Sequence, residues 1–352
     1  APWICGRRRE GVLMRGIRAC GPAARSVALV LAGWLAYGAP VAAYVKFGTQ
    51  IGGRQITLKW NRLPVRYFVN DQGLPALSSV EYRAALDRAF AAWEAVASSA
   101  VTFQSGGLTS SLPTESDGIT TIGFMPRPDL DRVLGATSFV IDAVTGEVLE
   151  AGIFFNSSFL WSTSATGEAG RYDFESIALH EIGHLVGLGH SALGETEVRV
   201  GGRRLIAAEA AMFPIAFSAG SILGRRLTAD DVAGVSDVYP AAAFQTDTGS
   251  ISGRVTKDGR GLFGAHVVAF NPSTGKLVGN FSLTAEGEFA IAGLDPGSYV
   301  VRVEPLDDAD LTSFFPEGAN VDVGFRATYA DRLAVVPRGG NAGPIEIKVS
   351  AR

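Results

Sequence analysis

The sequence predicts two folded parts, an α+β domain followed by an all-β sandwich. In the first part, apolar residues at helical spacing alternate with short runs typical of strands, and a histidine-rich helix lies near its end. In the second part, five short β-rich runs follow one another at even spacing, separated by turn residues such as Asp258-Gly259. With 47% hydrophobic and 19% charged residues over 352 positions, the chain is long and apolar enough for two globular cores.

Residues 1–43 are predicted to be a secretory signal peptide, which begins at Met14 or carries residues 1–13 as an upstream extension. The segment has a basic start, an apolar centre and a small-residue end, as secretory signals have. These parts are Arg15, Arg18 and Arg25, then Val27 to Ala36, then Val41-Ala42-Ala43. The apolar centre is short for a bilayer span, so an uncleaved membrane anchor is the weaker alternative. We expect a secreted protein, extracellular or periplasmic, without stable membrane insertion after cleavage.

Both cysteines, Cys5 and Cys20, lie before the expected cleavage point after Ala43. The secreted chain would therefore have neither a thiol nor a disulfide, so that packing and metal would have to stabilise it. Residues 1–43 also hold six arginines and Glu10, and their removal shifts the formal charge from −4 to −9. No basic stripe appears in the sequence, which argues against nucleic acid as a partner.

After a short N-terminal segment at residues 44–55, residues 56–240 are predicted to form the first domain. Strands are predicted at Leu63 to Val69 and at Val101 to Phe103. Between them lies a predicted helix, where Ser78 and Glu81 form a capping-box pattern ahead of apolar residues at helical spacing. Those apolar residues are Tyr82, Leu86, Ala89, Phe90, Trp93 and Val96. Thr228, followed three residues later by Asp231, is predicted to cap the helix that closes the domain.

The densest group of metal-binding side chains is H-E-I-G-H-L-V-G-L-G-H, which runs from His180 to His190. On one helix, His180 and His184 leave the same face one turn apart and can bind one metal. Gly187 can adopt the left-handed conformation that ends helices, which lets His190 return to the same metal from a loop. Three imidazoles with an open fourth position are typical of catalytic zinc, whereas a purely structural zinc usually has four protein ligands. Glu181 can reach a water on the metal and is predicted to be the catalytic base.

The histidine run resembles the extended zinc signature of the metzincin metallopeptidases, H-E-x-x-H-x-x-G-x-x-H, with every fixed position filled. Lys59-Trp60 and Leu63 to Val69 resemble the first strand of the matrixin branch, and Leu227 to Gly234 resembles its closing helix. The resemblance therefore covers residues 56–240. It implies a catalytic domain with a twisted mixed sheet and an active-site helix, one catalytic Zn²⁺, and protein or peptide substrates.

The same resemblance implies a methionine turn beneath the metal and an edge strand above it. Met212, in Ala211-Met212-Phe213-Pro214, is the candidate for the turn, although a lone methionine also suits ordinary core packing. Phe213, Pro214 and Ile215 would then line an apolar substrate pocket beside the metal. An extended peptide can add to an exposed edge strand, and the residues predicted for that strand are Leu149, Glu150, Ala151, Gly152 and Ile153. The alternative is an edge strand that is protected by its charged residues and has no partner.

The sequence also departs from the familiar animal matrixins. The thiol that keeps those zymogens latent has no counterpart after Ala43, and the histidines needed for their second, structural zinc are missing from residues 56–240. Structural Ca²⁺ is the alternative support, because it prefers oxygen ligands. Four aspartates lie in loop-like stretches, where ordinary turn roles are favoured over calcium binding: Asp117, Asp129, Asp131 and Asp142.

A linker is predicted at residues 241–249, and the β-sandwich at residues 250–352. The β-rich runs are Ile251 to Val255, Ala265 to Phe270, Leu277 to Leu283, Glu288 to Ile291 and Ser298 to Val303. The stretches at 253–270 and 293–303 resemble the carboxypeptidase-regulatory-like and prealbumin-like sandwiches. Such modules imply a fold rather than an activity, so we expect an accessory domain that binds substrate or a surface. His266 lies in a predicted strand and is interpreted as a packed histidine rather than a ligand.

The predicted function is a secreted zinc-dependent endopeptidase in which Glu181 acts as general base and then as general acid. The alternative is a surface-binding or adhesion protein whose zinc domain is vestigial or structural. Glu181 argues against that alternative, because nothing structural requires glutamate beside two ligand histidines.

Overall fold

The computed structural model describes residues 27–31, 46, 48–51, 54–200 and 202–352. The predicted signal peptide therefore lies outside the described residues except for five positions at its apolar centre. Within the described part of the chain, no helix is both long enough and apolar enough to cross a membrane.

The first part of the chain is built around one mixed sheet. In chain order its elements are β1 (Val27–Leu31), β2 (Gly48–Ile51), β3 (Arg54–Thr57), β4 (Val65–Asn70), α1 (Ser79–Glu94), β5 (Phe103–Leu108), β6 (Thr121–Met125), β7 (Gly135–Asp142), β8 (Val148–Asn156), β9 (Trp161–Ser162), β10 (Tyr172–Asp173), α2 (Phe174–Leu185), β11 (Gly194–Arg199), β12 (Gly202–Ala208) and α3 (Ala229–Val238). The sheet has the strand order β1-β7-β8-β6-β4-β5. Strands β4, β5, β6 and β8 are parallel, whereas β7 is antiparallel to β8, so the predicted α+β fold with a mixed sheet is confirmed.

Helix α1 starts at the predicted capping box and holds the histidine-bearing helix in place. The Glu81 backbone N–H donates to Ser78 Oγ at 3.2 Å, and the Ser78 N–H donates to Glu81 Oε2 at 3.1 Å. The apolar face of α1 is buried, and Trp93 at its end donates from Nε1 to the Leu179 carbonyl at 2.8 Å. Trp60 makes a similar bond to the Leu185 carbonyl at 2.8 Å. Two indoles thus fix α2 to the rest of the domain.

Strand β8 lies inside the sheet, which corrects one prediction. It pairs in parallel with β6 and antiparallel with β7, so both of its edges are occupied. A peptide cannot add to it, and the assignment of Leu149, Glu150, Ala151, Gly152 and Ile153 as the substrate edge strand is wrong. Buried side chains run almost continuously along β8, as expected for a strand that is covered on both faces, whereas they alternate along β7.

Strand β7 lies further out in the sheet and is paired on its outer side by β1. Val27 lies opposite Asp142 and Leu31 opposite Ser138, in antiparallel register. The five residues of β1 belong to the apolar centre of the predicted signal peptide. In the described structure, the outer edge of β7 therefore receives an extended segment of the same chain.

The second part of the chain is a β-sandwich, as predicted. In chain order its elements are α4 (Phe244–Asp247), β13 (Gly249–Lys257), β14 (Arg260–Gly261), β15 (His266–Phe270), β16 (Leu277–Phe281), β17 (Glu288–Leu294), β18 (Gly297–Glu304), the 3-10 helix η1 (Leu311–Ser313), β19 (Thr328–Tyr329), β20 (Ala334–Val336) and β21 (Asn341–Val349). In one sheet β13 pairs with β14, β17 and β21; the other has the order β16-β15-β18-β19, with β20 also on β18. Apolar side chains of both sheets fill the core between them.

The segment predicted as a linker is folded and packed. Residues 244–247 form α4, in which Phe244 is buried, and β13 already begins at Gly249. Other contacts join the two parts directly: the Gly279 N–H donates to Asp230 Oδ1 at 2.8 Å, and the Thr196 N–H donates to Asp308 Oδ1 at 2.8 Å. The sandwich therefore packs against the segments that follow the histidine run.

Candidate metal centre

Helix α2 begins and ends where local sequence dictates. Asp173 caps its N-terminus by accepting the Ser176 N–H at 2.9 Å. At the other end Gly187 has φ of +90°, the Gly187 N–H donates to the His184 carbonyl at 2.7 Å, and the Leu188 N–H donates to the Gly183 carbonyl at 3.0 Å. This pair of bonds is a Schellman motif, and it turns the chain back toward the helix. The predicted role of Gly187 in ending the helix is confirmed.

The turn brings the three predicted ligand histidines together. His180, His184 and His190 each offer a ring nitrogen, and these atoms lie within 4.8 Å of one another. The Nε2 atoms of His180 and His184 are 3.0 Å apart. Among the residues that the structure describes, this is the only group of three or more His, Cys, Asp or Glu side chains arranged to hold a metal ion.

Backbone carbonyls orient all three rings. The Nδ1 atoms of His180, His184 and His190 lie 2.8 Å from the carbonyl oxygens of Ala211, Leu188 and Ser313, respectively. Because a carbonyl can only accept, each Nδ1 carries the hydrogen and each neutral ring keeps its Nε2 lone pair for a metal.

Burial keeps these rings neutral. It lowers the pKa of His180 to about 3 and the pKa of His190 to about 4. The hydrogen bonds of these rings to the Ala211 and Ser313 carbonyls oppose the change but are weaker. The pKa of His184 is also far below its ordinary value, mainly because the ring is buried and secondly because His180 and His190 lie beside it. Three neutral nitrogens that converge on one point are the donor set that zinc prefers, so the residues fit this ion.

Glu181 lies beside this cluster with one oxygen held and the other open. Its side chain is 1% exposed, and Oε2 accepts a hydrogen bond from Thr137 Oγ1 at 2.7 Å. The other oxygen, Oε1, is buried and has no hydrogen-bond partner among the described residues. Burial raises the pKa of Glu181 to about 8, and the Thr137 bond opposes that rise. A carboxylate oxygen without a partner in a dry site is well suited to accept a proton from water.

Met212 packs against the middle of α2. It is 2% exposed, and a Cβ added to Gly183 would lie 2.1 Å from its sulfur. Asp231 fixes the segment, since its carboxylate accepts the N–H groups of Ala211 at 2.8 Å and of Met212 at 3.1 Å. The sequence predicted Asp231 only as part of the α3 cap, which the structure confirms.

The sequence did not predict Thr137, Ser313 or the second role of Asp231. Thr137 belongs to an alternating strand, which gives no sign that its hydroxyl reaches Glu181. Ser313 contributes a backbone carbonyl, and any residue type has one. Asp231 was predicted as a cap, but it lies far from Met212 in sequence, so its hydrogen bond with the Met212 N–H was not predicted.

Three of the four aspartates considered for calcium act as turn residues or pair with arginine. Asp117 Oδ1 accepts the Ile119 N–H at 3.2 Å, and Asp142 Oδ1 accepts the Val144 N–H at 2.8 Å. Asp129 pairs with Arg127 at 2.6 Å. Within the described part of the chain these aspartates do not gather into a metal-binding group.

Comparison with known proteins places this centre in a family. Residues 59–240 match the family model described as Matrixin, and residues 250–323 match the carboxypeptidase regulatory-like domain. Matrix metalloproteinase-23 of Homo sapiens is 30% identical over 148 residues, which cover 39% of this chain and 36% of that protein. Metalloendoproteinase 2-MMP of Arabidopsis thaliana is 29% identical over 209 residues, which cover 51% of this chain and 46% of that protein.

These matches span less than half the length of either relative. A solved structure titled "The Bacillus anthracis TIE protein" overlaps 30% of this chain and 17% of that one, at 16% identity and a TM-score of 0.21, an overlap too small to bear on the fold. The matrixin match covers more than half of the chain and includes the whole histidine cluster with Glu181 and Met212. The chain therefore belongs to the matrixin family.

Proposed function

We propose that this protein is a secreted zinc-dependent endopeptidase. The observation that carries the proposal is the convergence of three neutral imidazoles beside a buried carboxylate that has one oxygen without a partner. The predicted signal peptide supports secretion, and membership of the matrixin family supports peptide-bond hydrolysis.

His180, His184 and His190 would hold the zinc through their Nε2 atoms. Bound there, the ion would supply a nucleophilic water near neutral pH and polarise the scissile carbonyl. Glu181 Oε1 accepts the proton of the attacking water and passes it to the nitrogen of the leaving amine. Thr137 holds Oε2 during these transfers, so that the carboxylate keeps its direction.

The geometry favours β7 as the strand along which a substrate extends. Thr137 lies on β7 and contacts Glu181, and a Cβ on Gly135 would lie 3.1 Å from Glu181 Oε1. An extended peptide added to the outer edge of β7 would thus pass beside the metal. The antiparallel pairing of Val27–Leu31 with this edge supports the proposal, because it shows that the edge can accept a strand. In the secreted chain, the predicted cleavage after Ala43 would remove that segment and leave this edge of β7 open to a substrate.

The test is zinc content and cleavage of a denatured-protein or peptide library by the secreted chain, beside Glu181→Gln and a chelator control. We expect one zinc per chain and chelator-sensitive cleavage. Glu181→Gln should keep the zinc and lose roughly 10²–10⁴-fold in kcat/KM, because the proton acceptor is gone. Near-normal hydrolysis by Glu181→Gln would remove the assigned base. Zinc without any cleavage would instead favour a surface-binding protein with a vestigial centre.

A further inference from the structure

One of the three histidines is oriented from outside the matrixin part of the chain. The carbonyls that bind His184 and His180 belong to residues 4 and 31 positions away, within residues 59–240. The carbonyl that binds His190 belongs to Ser313, 123 positions away in the C-terminal part. The distance is the same, 2.8 Å, in all three cases.

His190 has the greatest need of such a contact. His180 and His184 stand on α2, which is capped at both ends and buried, so the helix itself sets the direction of their rings. His190 follows the Schellman turn on a loop and is more exposed than the other two. A ring on a loop depends on its outer hydrogen bond to fix both its tautomer and its direction.

The Ser313 carbonyl is itself held firmly. Ser313 ends η1, where its N–H donates to the Asp310 carbonyl at 2.8 Å and the Phe315 N–H donates to the Leu311 carbonyl at 2.8 Å. Phe315 is 3% exposed, and its ring lies 5.2 Å from that of Phe281 on β16. The short helix is therefore anchored to the sandwich core and is not a loose loop.

The segment after the histidine run is clamped by the same cluster. Phe213 and Ile215, which follow Met212, are buried together with Phe281, Phe314 and Phe315 of the sandwich. Thr196 and Asp308 join the β11–β12 hairpin to the sandwich by two further hydrogen bonds, at 2.7 and 2.8 Å. The position of Ser313 relative to His190 is thus fixed by contacts on several elements.

We propose that the C-terminal sandwich is a working part of the metal centre, in which the Ser313 carbonyl is a positioning group for His190. It holds the hydrogen on Nδ1 and directs the Nε2 lone pair toward the ion. The metal affinity of the matrixin part then depends on the sandwich. This inference deepens the proposed function and rests on it.

The test compares two substitutions of one residue in the full-length secreted chain, Phe314→Pro and Phe314→Ala. Both remove the same ring. Only proline disfavours the helical conformation of the residue before it, so only Phe314→Pro should turn the Ser313 carbonyl away from His190. Proline also removes the Phe314 N–H that donates to the Leu311 carbonyl at 3.0 Å.

The measurements are the Zn²⁺ dissociation constant, from competition with a chromogenic chelator, and the visible spectrum of the Co²⁺-substituted protein. We expect Phe314→Pro to bind Zn²⁺ about 10–100-fold more weakly than Phe314→Ala, which is the usual effect of losing an outer hydrogen bond to a ligand. The Co²⁺ spectrum should shift only in Phe314→Pro. Phe289→Ala removes a ring of the same size from the other core of the sandwich and should leave the Zn²⁺ affinity unchanged.

Equal Zn²⁺ affinity of folded Phe314→Pro and Phe314→Ala would overturn the inference. If Phe314→Pro does not fold, ¹⁵N NMR of the zinc-free wild-type imidazoles decides. A hydrogen on Nδ1 of His190 supports the Ser313 contact, and a hydrogen on Nε2 refutes it. A wild-type chain that binds no zinc at all would instead refute the proposed function, which is a different result from equal affinities.

Discussion

His180 and His184 stand on one buried helix, whereas His190 stands on a loop that the C-terminal sandwich supports. The helical half is complete within 15 residues, from the Asp173 cap to the Gly187 turn. The loop half needs Ser313, at a separation of 123 residues, and the packed cluster around Phe315. The candidate metal centre thus combines a half that is determined locally with a half that depends on another domain.

Removal of a helical ligand should have the largest effect. His184→Ala leaves two imidazoles, so we expect the variant to lose stoichiometric zinc and its cleavage activity to fall below detection. Metal analysis of the purified protein and a peptide assay would show this. The matched control is His266→Gln, because His266 is the remaining histidine and pairs with Glu304 in the sandwich. Zinc loss in the control as well would mean that the variants are misfolded.

Gly187→Ala tests the turn that separates the two halves. Alanine at φ of +90° is strained by about 1–2 kcal/mol, and its Cβ would lie 2.4 Å from the Leu58 carbonyl oxygen. The overlap costs about 1–3 kcal/mol more, so we expect the free energy of unfolding to fall by roughly 2–5 kcal/mol in total. Gly170 has a similar φ of +77° but open space around an added Cβ, so in Gly170→Ala only the backbone strain should lower the free energy of unfolding. Equal denaturant midpoints for the two variants would contradict the role of the Leu58 contact.

The loop half should also respond to pH through Asp230, which joins α3 to the sandwich. Burial, and then the neighbouring Asp231, raise the pKa of Asp230 to about 7. Its pKa is higher in the folded than in the unfolded chain, so the folded state binds the extra proton and stability falls as pH rises from about 4 through 7. The loss between pH 5 and 7 is about 2 kcal/mol by linkage.

Asp230→Asn should remove this part of the pH dependence, as measured by urea unfolding of the zinc-free protein at several pH values. Asp231 and His266 lie at the same interface and remain in the variant, so the difference between wild type and variant isolates Asp230. A variant whose stability falls as steeply as that of the wild type would contradict the prediction.

The smallest expected effect lies at the hydrogen bond between β7 and the helical half. Thr137→Val keeps the shape of the side chain but removes the 2.7 Å bond to Glu181 Oε2. Loss of an ordinary hydrogen bond corresponds to about 0.5–1.5 kcal/mol, so kcat/KM should fall roughly 2–13-fold while zinc is retained. Ser138→Ala on the opposite face of β7 should change kcat/KM little. An equal loss in both variants would point to distortion of the strand instead.

The helical half could be predicted from sequence because its determinants are local. The four-residue spacing of His180 and His184, the Asp173 and Gly187 ends, and the Ser78 capping box all operate within one or two helical turns. The loop half could not be predicted in this way, because every residue type has a backbone carbonyl and the sequence does not show that the one at Ser313 is used. The part of the metal centre that depends on tertiary contacts was therefore found only in the structure.

The strands show the same limit. A strand-like run predicts β8 correctly, but the pattern does not say which strands pair with it, so the position of β7 between β8 and β1 was not predicted. Strand β21 was not predicted because exposed residues dominate it and Gly343-Pro344 interrupts it. It forms by pairing in parallel with β13, about 90 positions earlier in the chain.

That last pairing sets an order of events during synthesis. β13 is made early in the sandwich, but its parallel partner β21 becomes available only after residues 341–349 have been translated. A chain that is interrupted before that point lacks a strand of the sheet to which β13 belongs. If the sandwich supports His190, products that end before β21 would then be poor metal binders, and the proposed hydrolytic activity would be reserved for chains that include this strand.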